Sequence, residues 1–234
     1  SYKSLNEALI HGGIENSSKV EIKWINAEKI NKKNVKDKLY NCDGVLVPGG
    51  FGVRGIGGKI EAIRYARENN LPYFGICLGM QLAVIEIARN VLRIKNANSS
   101  EFNSKSKSVV GLMTEWVKNN TIIKRNINSD KGGTMRLGSY QAKLKKNSKV
   151  FSIYKKNIIS ERHRHRYEVN EKFISKFNKK GYIFSGMSPD GILPEVLESN
   201  NHPWFIGVQF HPELKSRPLT PHPLFVSFIK SCLK

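Results

Sequence analysis

The chain has 234 residues, 39% apolar and 25% charged, a mixture able to bury a core and unlike that of a disordered polymer. Its 39 Lys and Arg against 19 Asp and Glu give a formal net charge of +20, a field that attracts polyanions. Because 28 of the basic residues are Lys scattered along the sequence, the excess reads as a compositional bias and no specific nucleic-acid ligand is expected.

Tyr2, Leu5, Ala8 and Leu9 recur at helical spacing and stop near Gly12-Gly13, and Val20 to Ile25 then alternates like a strand. Asp43 to Pro48 reads as a buried strand that runs into Gly49-Gly50-Phe51-Gly52-Val53-Arg54-Gly55, after which Ile60, Ile63 and Ala66 mark a helix. Pro72 to Ile76 is the next strand and Met80 to Glu86 the helix after it. Strands alternating with helices at this spacing predict an α/β domain with an open, mostly parallel sheet flanked by helices. Past Asn90 the pattern loosens, with loops expected over 96–108 and 119–133. Strands are predicted again at Met135 to Tyr140, Ile158 to Arg166, Tyr182 to Met187 and Phe205 to Phe210, and a last helix over Leu224 to Leu233. With no repeat and no linker, residues 1–234 read as one domain with a partly antiparallel second half.

No run approaches 18 consecutive apolar residues, and Ser1-Tyr2-Lys3-Ser4 has no signal-peptide pattern, so neither a membrane span nor secretion is expected. Cys42, Cys77 and Cys232 are too few and too far apart for a disulfide framework or a zinc motif. They fit a reducing, cytoplasmic setting and no metal.

Gly75-Ile76-Cys77-Leu78-Gly79 sits where a strand turns into a helix. Flanking glycines at such a junction permit the sharp elbow that serine hydrolases use to expose a nucleophile, here a thiol near a helix N-terminus. In open α/β sheets active sites collect beyond the carboxyl ends of strands. Two more segments share that placement: the glycine run after Pro48, whose N–H groups suit an oxyanion hole, and His211-Pro212-Glu213 after Phe210. A lone histidine at a strand end is most often structural, and a lone cysteine is most often core. Together Cys77, His211 and Glu213 form a nucleophile, base and orienting carboxylate for acyl transfer.

These residues resemble the triad glutamine amidotransferases of class I and, within them, the glutaminase domains of CTP synthases. The resemblance rests on Val47 to Gly52, Phe74 to Glu86, Gly132 to Gly138, Glu161 to Asn170, and His202 to Glu213. It implies a flavodoxin-like fold and hydrolysis of L-glutamine by Cys77, His211 and Glu213, with Gly50 and Leu78 forming the oxyanion hole. Glutamine would be held by Gly50, Leu78, Gly79, Met80, Gln81, Glu101, Arg166 and Tyr167. Ammonia would pass to a synthase domain, absent from the 234 residues, that uses ATP, UTP and Mg2+ to make CTP within a homotetrameric parent. GTP would activate the glutaminase step through Arg54, Thr134 and Arg136, and the domain itself would carry no cofactor. Gly57 departs from the acidic residue common in the family, and the chain opens on a helix where the family domain opens on a strand. Alternatives are the glutaminase domain of another amidotransferase such as GMP synthetase, and a basic nucleic-acid-binding module. In the run Glu161 to Tyr167, strand alternation places Arg162, Arg164 and Arg166 on one face and His163 and His165 on the other.

Overall fold

The computed structural model describes residues 2–103, 107–112, 115–118, 121–124 and 135–233. In chain order the elements are α1 Lys3–Glu15, α2 Val35–Lys38, β1 Val45–Val47, α3 Ile56–Glu68, β2 Tyr73–Ile76, α4 Leu78–Asn90, β3 Ala97–Ser99, β4 Lys107–Leu112, β5 Glu115–Lys118 and β6 Thr121–Lys124. They continue with β7 Arg136–Leu144, α5 Lys149–Tyr154, β8 Ile158–His165, β9 Tyr167–Val169, α6 Ile174–Asn178, β10 Tyr182–Met187, β11 Pro194–Ser199, β12 Phe205–Val208 and α7 Pro223–Cys232.

The main sheet has seven strands in the order β1-β2-β12-β11-β10-β7-β8. β1, β2 and β12 run parallel, Val47 opposite Gly75 and Ile76 opposite Val208, and the remaining neighbours pair antiparallel. The α/β class and the antiparallel second half are as expected, but the antiparallel part is the larger one. β3, β4 and β9 form a second small sheet, and β5 with β6 a hairpin.

β2 is buried along its whole length because both faces are covered. Alternate residues go opposite ways. Tyr73, with Phe205 of β12, packs under α3 and α4, while Phe74 and Ile76, with Ile206 and Val208, pack under α1 and α7. Phe74 meets Trp204, Phe225 and Phe228 at ring-centroid distances of 5.4, 5.3 and 5.6 Å, geometry favoured by aromatic pairs.

Three expectations change. Val20 to Lys23 alternates in exposure, but Trp24 is exposed as well, and Val20 to Ile25 belongs to no strand. Val20 and Ile22 rest on the core while Trp24 stacks on Tyr2, so the period comes from packing without a ladder partner. The supposed loop 96–108 holds β3 and the start of β4, and of 119–133 the described residues 121–124 form β6. The rest of that second stretch lies outside the described residues. β8 stops at His165, with Arg162 and Arg164 exposed, and the chain bends at Arg166, which is half-buried and does not continue their face.

Candidate active site

Cys77 joins β2 to α4 with φ +52° and ψ −103°, a conformation that costs a non-glycine residue on the order of 1–3 kcal/mol and is held by its surroundings. Its N–H donates to Val208 O at 2.7 Å and its carbonyl accepts from Gln81 N at 3.2 Å, so the elbow is fixed on both sides. The glycines are required by proximity. A Cβ on Gly79 would lie 2.1 Å from Val47 O, and one on Gly75 would lie 2.8 Å from Gly79 C. Leu78 opens α4, so its N–H belongs to the first turn that has no intrahelical acceptor. Gly50 lies beside it, since a Cβ there would meet Leu78 Cδ2 at 3.4 Å.

His211 follows β12 and is anchored by its own N–H, which donates to Arg162 O at 2.8 Å. Its Nδ1 shares a 2.7 Å hydrogen bond with Glu213 Oε1, made possible by the short helical turn Pro212–Leu214. Nε2 is buried and makes no hydrogen bond of ordinary geometry among the described residues, but the Cys77 sulfur is close enough to act on the ring. Burial alone would lower the His211 pKa. Hydrogen bonding and charge from Cys77 and Glu213 outweigh it and push the group up to about 10. Gly49 fits between the two groups, for a Cβ there would be 2.7 Å from His211 Cε1 and 3.5 Å from Cys77 Cβ.

The remaining expected residues fall around this pair. Gln81 is buried and donates from Nε2 to Tyr167 O at 2.9 Å and to Gln209 Oε1 at 3.2 Å, which leaves its own Oε1 as an acceptor. Glu101 Oε1 accepts from Gly52 N at 2.9 Å and ties the glycine run to the loop after β3. Burial raises the Tyr167 pKa, Glu101 raises it further and Arg166 lowers it, so the three side chains share one neighbourhood. Met80 points away. Its side chain packs on Gly207 in the core, so only its backbone can serve a ligand.

Of the residues expected to answer GTP, Arg54 is exposed and pairs with Glu28 at 2.8 Å, and Thr134 lies outside the described residues. Arg136 is 2% exposed and faces inward, ion-paired to Glu168 at 3.3 Å and to Glu195, with its guanidinium 4.4 Å from the centroid of Tyr140. A guanidinium held this way is engaged within the fold.

Sequence reasoning missed the group around Arg136. His163 Nδ1 and His165 Nε2 share a 2.8 Å hydrogen bond, His165 Nδ1 lies 3.5 Å from Glu168, and His163 Nε2 lies 3.8 Å from Glu195. Burial, then the Arg136 charge, depresses both histidines well below the usual imidazole range, and burial raises both carboxyls. Gln209 was missed as well, although counting back two from His211 puts it on the same side of the strand end.

The arrangement can deprotonate a thiol, receive an oxyanion and return a proton to a leaving group. Comparison with known proteins narrows the chemistry. The family model "Glutamine amidotransferase class-I" matches residues 1–231. The CTP synthase of Pelagibacter ubique is 62% identical over 230 residues, covering 98% of this chain. The chain belongs to the class I glutamine amidotransferases, in their CTP synthase branch. The CTP synthase of Paramagnetospirillum magneticum is 58% identical over 234 residues. The chain spans 43% of the length of each of these two relatives. Among solved structures, the Trypanosoma brucei CTPS glutaminase domain with bound acivicin superposes with a TM-score of 0.89 at 38% identity, covering 99% of this chain and 87% of that one. A putative GMP synthase subunit from Thermoplasma acidophilum, at 14% identity and a TM-score of 0.54, shares the amidotransferase fold alone.

Proposed function

We propose that this class I amidotransferase domain hydrolyses L-glutamine and that its ammonia is used by the rest of the polypeptide to aminate UTP to CTP. The observation that carries the first half is the pairing of a strained, elbow-borne Cys77 with a His211 ring oriented by Glu213. In this reading the Cys77 proton passes to His211 Nε2 and the sulfur adds to the carboxamide carbon. The oxygen that becomes negative is received by the N–H groups of Gly50 and Leu78, where loss of one donor costs roughly 3 kcal/mol in the barrier. His211 returns its proton to the nitrogen, ammonia leaves, and a thioester to Cys77 remains. Water, its proton taken by His211, then attacks the thioester, and glutamate departs as sulfur recovers its proton. Glu101 and the side-chain oxygen of Gln81 suit the substrate's ammonium, and Arg166 suits its carboxylate.

The second half rests on relatives more than twice the length of this chain. It brings a synthase portion of the same polypeptide as partner, with ATP, UTP and Mg2+ as that portion's ligands and a homotetramer as the assembly. GTP acts as activator, with exposed Arg54 as the described side chain best placed to meet it. A cytoplasmic setting fits three cysteines that are all free. Among the described residues no helix is long and apolar enough to cross a membrane. The test is ammonia release from glutamine by the full-length protein, with and without GTP. Cys77→Ala is expected to abolish it, and equal release by wild type and variant would end the catalytic reading.

A further inference from the structure

Gln209 is fully buried, and its backbone is fixed by a 2.9 Å hydrogen bond from its N–H to Glu195 O. Its side chain reaches two ways. Oε1 accepts from Gln81 Nε2 at 3.2 Å, and Nε2 stands 3.8 Å from Cys77 Sγ. Gln81 Nε2 has two protons and two acceptors, Tyr167 O and Gln209 Oε1. That engagement sets the Gln209 carboxamide one way round, oxygen toward Gln81 and nitrogen toward the sulfur.

Another near neighbour of the sulfur has the opposite polarity. Arg164 O lies 3.9 Å from Cys77 Sγ and can accept from a thiol. Once the proton has moved to His211, that carbonyl presents its negative end to a negative sulfur and the contact turns unfavourable. The Gln209 N–H changes in the other sense, since a neutral donor interacts more strongly with an anion than with a thiol. Residues that favour the charged form over the thiol raise the share of sulfur present as thiolate, the form that attacks.

We propose that Gln209 is a further catalytic residue, a neutral donor that holds the Cys77 thiolate after its proton has passed to His211. It moves no proton and forms no bond. Its second contact makes Gln81 the brace for this donor, coupling a residue of the glutamine pocket to the nucleophile. The proposal rests on Cys77 being the nucleophile.

Two substitutions separate the donor from the brace. Gln209→Glu keeps an oxygen for Gln81 and loses the donor, and Gln209→Met, of similar length, loses both. In the full-length protein, the rate of Cys77 alkylation by iodoacetamide is followed by peptide mass mapping, together with kcat and KM for glutamine. Iodoacetamide lacks the amino-acid end of glutamine and so reports on the sulfur. Both variants are expected to be alkylated roughly tenfold or more slowly, the scale of one hydrogen bond to a charged group, with kcat falling and the KM of Gln209→Glu near that of wild type. Wild-type alkylation rates in either variant would overturn the proposal: in Gln209→Glu they would make Gln209 a brace alone, and in Gln209→Met they would show that neither contact matters to the sulfur. If wild-type Cys77 is alkylated no faster than Cys42 and Cys232, the failure belongs to the nucleophile reading instead.

Discussion

At the scale of single residues, His211 concentrates the chemistry. Its pKa is raised to about 10 from an ordinary value of 6.5, against the lowering effect of burial, by Cys77 and Glu213. A group raised on folding contributes stability that is fully present below about pH 6.5 and is lost as pH climbs through about 10. Glu213→Gln removes one of the two supports, so the His211 titration followed by NMR is expected to move toward lower pH, and an unmoved titration would detach Glu213 from the base. The elbow was legible because glycine on both sides of a cysteine is a local signal, and Gly79 has a local reason in its approach to Val47 O. Glu101 was reached only by resemblance. It arrives through a hydrogen bond to Gly52, 49 residues away, and no spacing rule carries that information.

At the scale of elements, the strands that hold the elbow were readable and the strands that surround it were less so. β2 is an uninterrupted apolar run because helices cover both of its faces. β11 escaped notice because Pro194-Glu195-Val196-Leu197-Glu198-Ser199 looks half polar, yet all six residues are buried. Its glutamates are spent on distant partners. Glu198 accepts from the N–H groups of Lys149 and Val150 at the start of α5, and Glu195 pairs with Arg136. Contact of α4 with β1 is the element-scale feature most exposed to mutation. Gly79→Ala places a methyl group 2.1 Å from Val47 O, so the first turn of α4 must shift and carry the Leu78 N–H with it. Overpacking of this kind costs about 1–3 kcal/mol in urea unfolding. Ammonia release is expected to fall further than that loss of stability accounts for. Activity that tracks the folded fraction alone would contradict it.

For the whole molecule, the formal charge of +20 says less than where the charges are buried. The group of Arg136, His163, His165, Glu168 and Glu195 lies under the site with both histidines held neutral, chiefly by burial. A histidine depressed on folding takes up protons when the chain unfolds, so stability is lost as pH falls below about 6.5. Glu168, raised to about 8, and Glu195 act in the opposite sense over the same range, so the histidine contribution is read as a difference: between pH 7.5 and 5 the denaturation midpoint of His163→Gln is expected to fall less, or rise more, than that of wild type. The same pH dependence in wild type and His163→Gln would remove His163 from the account of stability.

β8 is the last strand in the sheet order, six places from β1, yet Arg162 O meets His211 N and Arg164 O lies beside the Cys77 sulfur. The sheet's far edge therefore supplies part of the wall around a nucleophile that the parallel edge presents. Among the described residues β8 is paired on one side only, and such an edge opens ahead of the central strands. As urea rises, ammonia release is expected to fail before the buried Trp204 reports any change, and coincident transitions would argue against it. During synthesis the same arrangement sets an order of events. The thiol emerges 87 residues before Arg164 and 134 before His211, so the polypeptide carries an inert cysteine until nearly the whole domain has been made.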